Sequence, residues 1–199
     1  MTKGQETRQA ILTRAFELAT VVGVNGLTIG RLAEETGLSK SGLFAHFGSK
    51  EALDVAIVEE ASRQFVQAVM VPALREPRGE PRVRALFERW MTWGHRPGGC
   101  FFVAASAELD DRPGPPRDAL VRASKDWVDE LAKAARIAIR EGHFRDDLDP
   151  DQFAFELYGI MLVSHQFFRF LQDPTSVART RTAFERLVTT ARPSSARSR

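Results

Sequence analysis

The stretch Gly26 to Leu53, GLTIGRLAEETGLSKSGLFAHFGSKEAL, constrains the fold more than any other part of the chain. It reads as two short helices around a sharp corner. Thr28 is placed to cap the first, on which Ile29, Leu32 and Ala33 fall at helical spacing while Arg31, Glu34 and Glu35 face outward. Gly37 can take the left-handed backbone that ends a helix, and Leu38 plugs the corner. Ser39 caps the second helix, which turns Leu43 and Phe47 inward and leaves Lys40, Ser41, Gly42, Ala45 and His46 on the remaining surface. Gly48 stops it, and Ser49 caps a third helix. Two short helices joined by a glycine turn, with small polar residues opening the second, make a helix-turn-helix pattern.

A size match gives that pattern its meaning. The DNA major groove admits one α-helix, and only a helix with a slim leading end reaches the base edges. Ser41, Gly42 and Ala45 keep the surface low, while Ser39 and Lys40 supply donors. Lys50 and the free N–H groups at the start of the third helix can face a phosphate together.

Residues 8–53 resemble the DNA-binding domain of the TetR family of bacterial transcriptional regulators. The resemblance rests on Ala15, Phe16, Leu18 and Ala19 of the first helix, on Gly26-Leu27-Thr28, on Ile29-x-x-Leu32-Ala33 and on Gly37-Leu38-Ser39. Its most specific part is Leu43-Phe44-x-His46-Phe47-x-x-Lys50-x-x-Leu53. Two residues depart from the family pattern. Phe44 stands where a tyrosine hydroxyl usually meets a phosphate, and Gly30 sits within a helix, at a cost of about 1 kcal/mol relative to Ala. The resemblance implies a homodimer on a palindromic double-stranded DNA operator, and a small-molecule effector that binds the C-terminal part. It assigns base contacts to Ser39, Lys40, Ser41 and Gly42, and phosphate contacts to Thr28, Phe44, His46 and Lys50. Ser39 has capping as its alternative role, and His46 has packing at the edge of the core.

Composition limits the other possibilities. The 199 residues carry 28 Lys and Arg against 26 Asp and Glu, so net charge alone gives no reason to expect nucleic acid. The single cysteine, Cys100, rules out an intrachain disulfide and suits a reducing cytoplasm. No signal peptide or membrane span is expected.

The remaining chain reads as helices without a strand. Thr7–Val22 carries an apolar stripe of Ile11, Ala15, Leu18, Ala19 and Val22, with Arg8 and Arg14 outside. Residues 1–6 are expected to fray. A helix from Ser49 to about Val71, stopped by Pro72, turns Glu59, Glu60, Arg63 and Gln67 outward. Further helices are expected over 83–93, 100–109, 117–141, 149–172 and from Pro174 to Ala191, with breaks at the intervening Gly, Pro and Asp residues. The domains expected are therefore a three-helix DNA-binding unit over 1–53, a larger helical effector-binding and dimerisation unit over 54–191, and a disordered basic tail over 192–199.

The last two helices have apolar residues on more than one face. Either they are enclosed at the centre of a domain, or two copies pack as an isologous four-helix bundle. The bundle is favoured, with Phe153, Leu157, Phe167, Phe168, Leu171, Phe184, Leu187 and Val188 at the interface. An effector cavity would draw on Trp90, Trp93, Phe102, Ser106, Trp127, Tyr158, Met161 and His165, although residue by residue core packing also explains them. The surrounding aromatics suggest a hydrophobic or aromatic effector.

No catalytic residues, cofactor or metal are expected. Asp147-x-Asp149-x-Asp151 lacks the glycine and closing Glu of a calcium loop, so helix capping explains it better. Cys100 near His95 has no third orienting group and reads as an inert buried thiol. The functional expectation is a repressor released by its effector. Its rivals are an activator or ligand-independent regulator of the same fold, and a small helical carrier or enzyme in which the turn is only scaffold.

Overall fold

The computed structural model describes residues 2–194, and its ordered elements there are all helical. The chain divides into two compact units, one of residues 1–65 with 96–124, the other of residues 66–95 with 125–199. Residues 54–65 and 96–124 are thus grouped with the helix-turn-helix in the first unit. The tail beyond Ser194 lies outside the described residues.

In the first unit α1 (Lys3–Val22) starts four residues earlier than periodicity suggests. Thr2 and Gln5 explain this, because each side chain takes the other's backbone N–H, at 3.3 and 2.8 Å, in a reciprocal cap. α2 (Ile29–Thr36), α3 (Lys40–Phe47) and α4 (Lys50–Phe65) follow, and α7 (Phe101–Leu109) packs with them. Ile11, Ala15 and Phe16 of α1, Leu27, Leu32, Leu43, and Leu53 and Ile57 of α4 are buried together with Phe101, whose ring meets Phe16 edge-on at 5.6 Å.

Glu60 differs from its expected outward position: it is only 3% exposed. Its carboxylate accepts hydrogen bonds from Gln9 Nε2 at 2.9 Å, Arg63 Nη2 at 2.6 Å and Gln64 Nε2 at 2.7 Å, which ties the start of α1 to α4. Glu60 lies three residues beyond Ile57 and seven beyond Leu53, so it falls on the edge of the buried stripe. Burial alone would raise its pKa, but the hydrogen bonds from Arg63, Gln64 and Gln9 outweigh it and hold the carboxyl below its ordinary 4.5. A depressed carboxylate stabilises the fold above its unfolded value, and that contribution is lost as pH falls through the folded one. Urea unfolding between pH 7 and pH 3 is therefore expected to show a smaller acid-induced loss in Glu60→Gln than in the wild type.

In the second unit the long helix does not stop at Pro72. A π-helical turn over 66–70 leads into α5 (Val71–Leu74). Pro72 has no N–H and its ring would crowd the carbonyl four residues back, and the widened turn just before it accommodates both. α6 (Glu80–Gly94) opens at Gly79, with Pro81 in its first turn. α8 (Pro115–Arg140) crosses from the first unit to the second. α9 (Pro150–His165) ends in a second π-helical turn over 166–170, and α10 (Ser176–Ala191) packs along α9. Phe87 and Phe184 stack at 3.8 Å between ring centroids, and Phe144 lies 5.2 Å from Phe153. Ion pairs flank this core. Arg84 bridges Glu80 and Glu185, at 2.7 and 2.5 Å, and Arg192 reaches Glu80 at 2.5 Å, so the segment expected to begin the tail is held at Arg192.

Candidate nucleic-acid interface

The corner between α2 and α3 is built as its residues require. Thr28 Oγ1 accepts the Arg31 N–H at 3.1 Å and caps α2. Gly37 takes φ +66°, which a side chain would make costly, and Leu38 N–H reaches back to the Ala33 carbonyl at 3.0 Å. Ser39 Oγ then accepts the Gly42 N–H at 3.0 Å and lies 3.0 Å from Ser41 Oγ. Capping therefore occupies Ser39. A Cβ on Gly42 would sit 3.3 Å from that oxygen, so the glycine keeps the first turn close.

Leu43 and Phe47 are buried, whereas Lys40, Ser41, Phe44 and Ala45 form an exposed face. Phe44 is 46% exposed. His46 is half-buried, its ring 6.3 Å from that of Phe47, and the Arg8 guanidinium covers Phe47 at 5.0 Å. Arg14 is engaged on the outer surface, pairing with Glu35 at 2.5 Å and Glu17 at 3.2 Å. Lys50 also has an internal role: its ammonium donates to the Val24 carbonyl at 3.2 Å and pairs with Asp54. Burial nonetheless pushes the Asp54 carboxyl up, against the opposing pull of Lys50. Of the eight residues assigned to DNA, Lys40, Ser41, Gly42, Phe44 and His46 thus share α3, with Ser39 at its cap, Thr28 at the start of α2 and Lys50 at the start of α4.

The residues expected around an effector fall in both units. Phe102 and Ser106 belong to the first, where Phe102 meets Phe65 edge-on at 5.6 Å and Ser106 is exposed, its hydroxyl donating to the Val103 carbonyl at 2.8 Å. Trp90, Trp93, Trp127, Tyr158, Met161 and His165 belong to the second. The three tryptophans and Met161 are buried, and Tyr158 is half-buried. His165 is the distinctive member. Its Nε2 is buried with no hydrogen-bond partner among the described residues, and burial, with the charges of Arg169 and His95, lowers its pKa. Asp149 accepts the N–H groups of Asp151 and Gln152 at 2.9 and 3.1 Å, so its role is to cap α9. Cys100 is buried, and the His95 ring packs on Phe168 at 4.1 Å.

The residues assigned to the subunit interface separate into two sets. Phe153, Leu157, Phe184, Leu187 and Val188 are buried within their own chain. Phe168 is half-buried, and Phe167 and Leu171 are exposed. The exposed apolar stripe instead includes Phe155, 71% exposed, with Val163, Phe167 and Phe170. α9 is apolar nearly all round, so periodicity alone could not say which face looks outward. Beside this stripe, Gly159, Ile160, Val163, Phe167, Arg179 and Ala183 line an open groove of about 440 Å³.

Comparison with known proteins gives the same assignment for both parts of the chain. Residues 11–65 match the model of the bacterial regulatory proteins of the tetR family, and residues 79–184 match the tetracyclin repressor-like C-terminal domain. The chain is 36% identical over 74 residues to the HTH-type transcriptional repressor AcnR of Corynebacterium efficiens, covering 37% of this chain and 39% of that one. It is 44% identical over 52 residues to the class C tetracycline repressor protein of Escherichia coli, covering 26% and 24% of the two chains. The match thus spans well under half the length of these curated relatives. A TetR transcriptional regulator from Chloroflexus aurantiacus superposes with a TM-score of 0.84 at 26% identity, over 95% of this chain and 96% of the other. AibR, solved with isovaleryl coenzyme A and operator DNA, shares the fold with a TM-score of 0.72 at 24% identity, over 94% and 99%. With the C-terminal model covering more than half of its residues and the helix-turn-helix model covering the reading head, the chain belongs to the TetR family of transcriptional regulators.

Proposed function

We propose that this regulator is a homodimeric cytoplasmic repressor that occupies a palindromic operator and leaves it when a hydrophobic or aromatic effector binds its C-terminal part. The observation that carries the reading is the slim exposed face of α3, where Lys40, Ser41, Phe44 and Ala45 stand clear of a core closed by Leu43 and Phe47. Lys40, Ser41 and Gly42 read base edges, and Thr28, Phe44 and His46 meet the backbone. Phe44 contributes its ring edge where a hydroxyl is lacking. Lys50 adds to the positive potential there while bracing the Val24 loop. Half-sites about 34 Å or more apart call for a two-fold protein, and the exposed stripe of Phe155, Val163 and Phe167 offers the apolar surface for pairing. The effector must favour the arrangement that does not bind DNA, since equal affinity for both would shift nothing.

The test is selection of bound duplexes from a random pool, repeated with candidate apolar effectors, followed by titration at several salt concentrations. A palindromic sequence bound with affinity falling steeply in salt is expected. His46→Ala should weaken every duplex alike, whereas Lys40→Ala or Ser41→Ala should change which sequence is selected. A protein that retains no duplex at low salt is a carrier or enzyme on this scaffold, and the reading fails.

A further inference from the structure

The loop that joins α1 to α2 is gripped by a residue far from the helix-turn-helix in the sequence. The Glu108 carboxylate, in the last turn of α7, accepts the N–H of Val24 at 3.3 Å and of Asn25 at 2.9 Å, and the Glu108 carbonyl receives Asn25 Nδ2 at 3.5 Å. Arg112 Nη1 donates to Asn25 Oδ1 at 2.7 Å, and Lys50 takes the Val24 carbonyl from the other side. Glycines stand at the closest approaches. A Cβ on Gly23, φ +83°, would lie 2.4 Å from Glu108 Oε1, and one on Gly98, φ +84°, would lie 2.5 Å from the Thr20 carbonyl oxygen. All these groups belong to the first compact unit.

Two successive N–H groups aimed at one carboxylate form a directional, charge-assisted grip. Val24 is only 1% exposed, so without Glu108 its N–H would lose a partner in a place that water reaches poorly. Leu27, fully buried, and Thr28, the cap of α2, follow within three residues of Asn25. The grip therefore fixes where the chain enters α2, and with it the position of the Thr28 hydroxyl and the N–H groups at that helix start. We propose that Glu108 is a positioning residue for operator binding, setting the α2 N-terminus against the DNA backbone although it lies outside the reading domain in the sequence. This rests on the DNA reading above.

The experiment is a double-mutant cycle between Glu108 and Thr28, read by operator affinity across a salt series, with circular dichroism and thermal unfolding as controls of folding. Glu108→Ala is expected to lower operator affinity about tenfold across the salt series. Thr28→Val added to Glu108→Ala should cost clearly less than it does alone, because the misplaced helix start has already lost its phosphate. Glu108→Gln keeps one acceptor oxygen and should fall between wild type and Glu108→Ala, with faster hydrogen exchange confined to the Val24 and Asn25 amides. If Glu108→Ala proves unfolded, the Gln variant carries the same cycle. Strictly additive losses overturn the proposal while leaving the DNA reading intact. A wild-type protein that binds no duplex overturns both.

Discussion

Phe184→Ala is expected to lower the unfolding free energy by about 3–5 kcal/mol, as measured by urea denaturation. The ring is 1% exposed and stacks on Phe87 at 3.8 Å between centroids, with the Arg84 guanidinium 5.7 Å from its centre. Truncation would leave a cavity between α6 and α10 and strip Phe87 of its stacking partner. The sequence placed Phe184 in the subunit interface, and the same measurement separates the two roles. A core residue destabilises to the same extent at every protein concentration, whereas an interface residue weakens the fold mainly where dilution dissociates the dimer. A loss that appears only on dilution would return Phe184 to the interface.

The paired substitution Phe155→Glu and Val163→Glu should have the opposite profile. Both side chains are exposed, at 71% and 57%, so charge at either leaves the core of the chain undisturbed. Sedimentation is expected to give a folded monomer with native helical content. A protein reduced to one reading head loses the gain of binding two half-sites together, so operator affinity should fall on the order of a hundredfold or more. A dimer that survives both glutamates would place the interface elsewhere on the chain.

The second experiment bears on α9, whose hydrophobic period names no outward face. Phe153, Phe155, Leu157, Ile160, Met161, Val163 and Phe167 follow one another at spacings that populate every side of the helix. A period is informative only where one face is polar. Phe155 and Leu157 are chemically alike and two residues apart, yet one is exposed and the other fully buried. In α2 and α3 the opposite holds. Polar residues interrupt the apolar ones, capping residues mark each start, and glycine marks each stop, so these helices and their turn were legible from Thr28 to Gly48.

Glu60 and Glu108 mark another limit. A carboxylate on a helical surface ordinarily faces water, and no local pattern announces that Gln9, 51 residues away, completes the shell of Glu60. Glu108 meets Val24 across 84 positions in the chain. Such pairs are formed by packing between elements, and a single sequence carries no register for that packing.

The sequence by itself determined the all-helical class, the helix-turn-helix with its slim exposed face and the family to which the chain is similar. These follow from short-range causes: helical period, side-chain caps, and the left-handed turn at Gly37. Only the tertiary structure decided that α7 joins the first compact unit, that Lys50 braces the Val24 loop, and that Phe184 is core while Phe155 is surface. Each of those outcomes depends on which apolar faces meet, a question of total area buried and polar groups satisfied across distant segments, to which local spacing is blind.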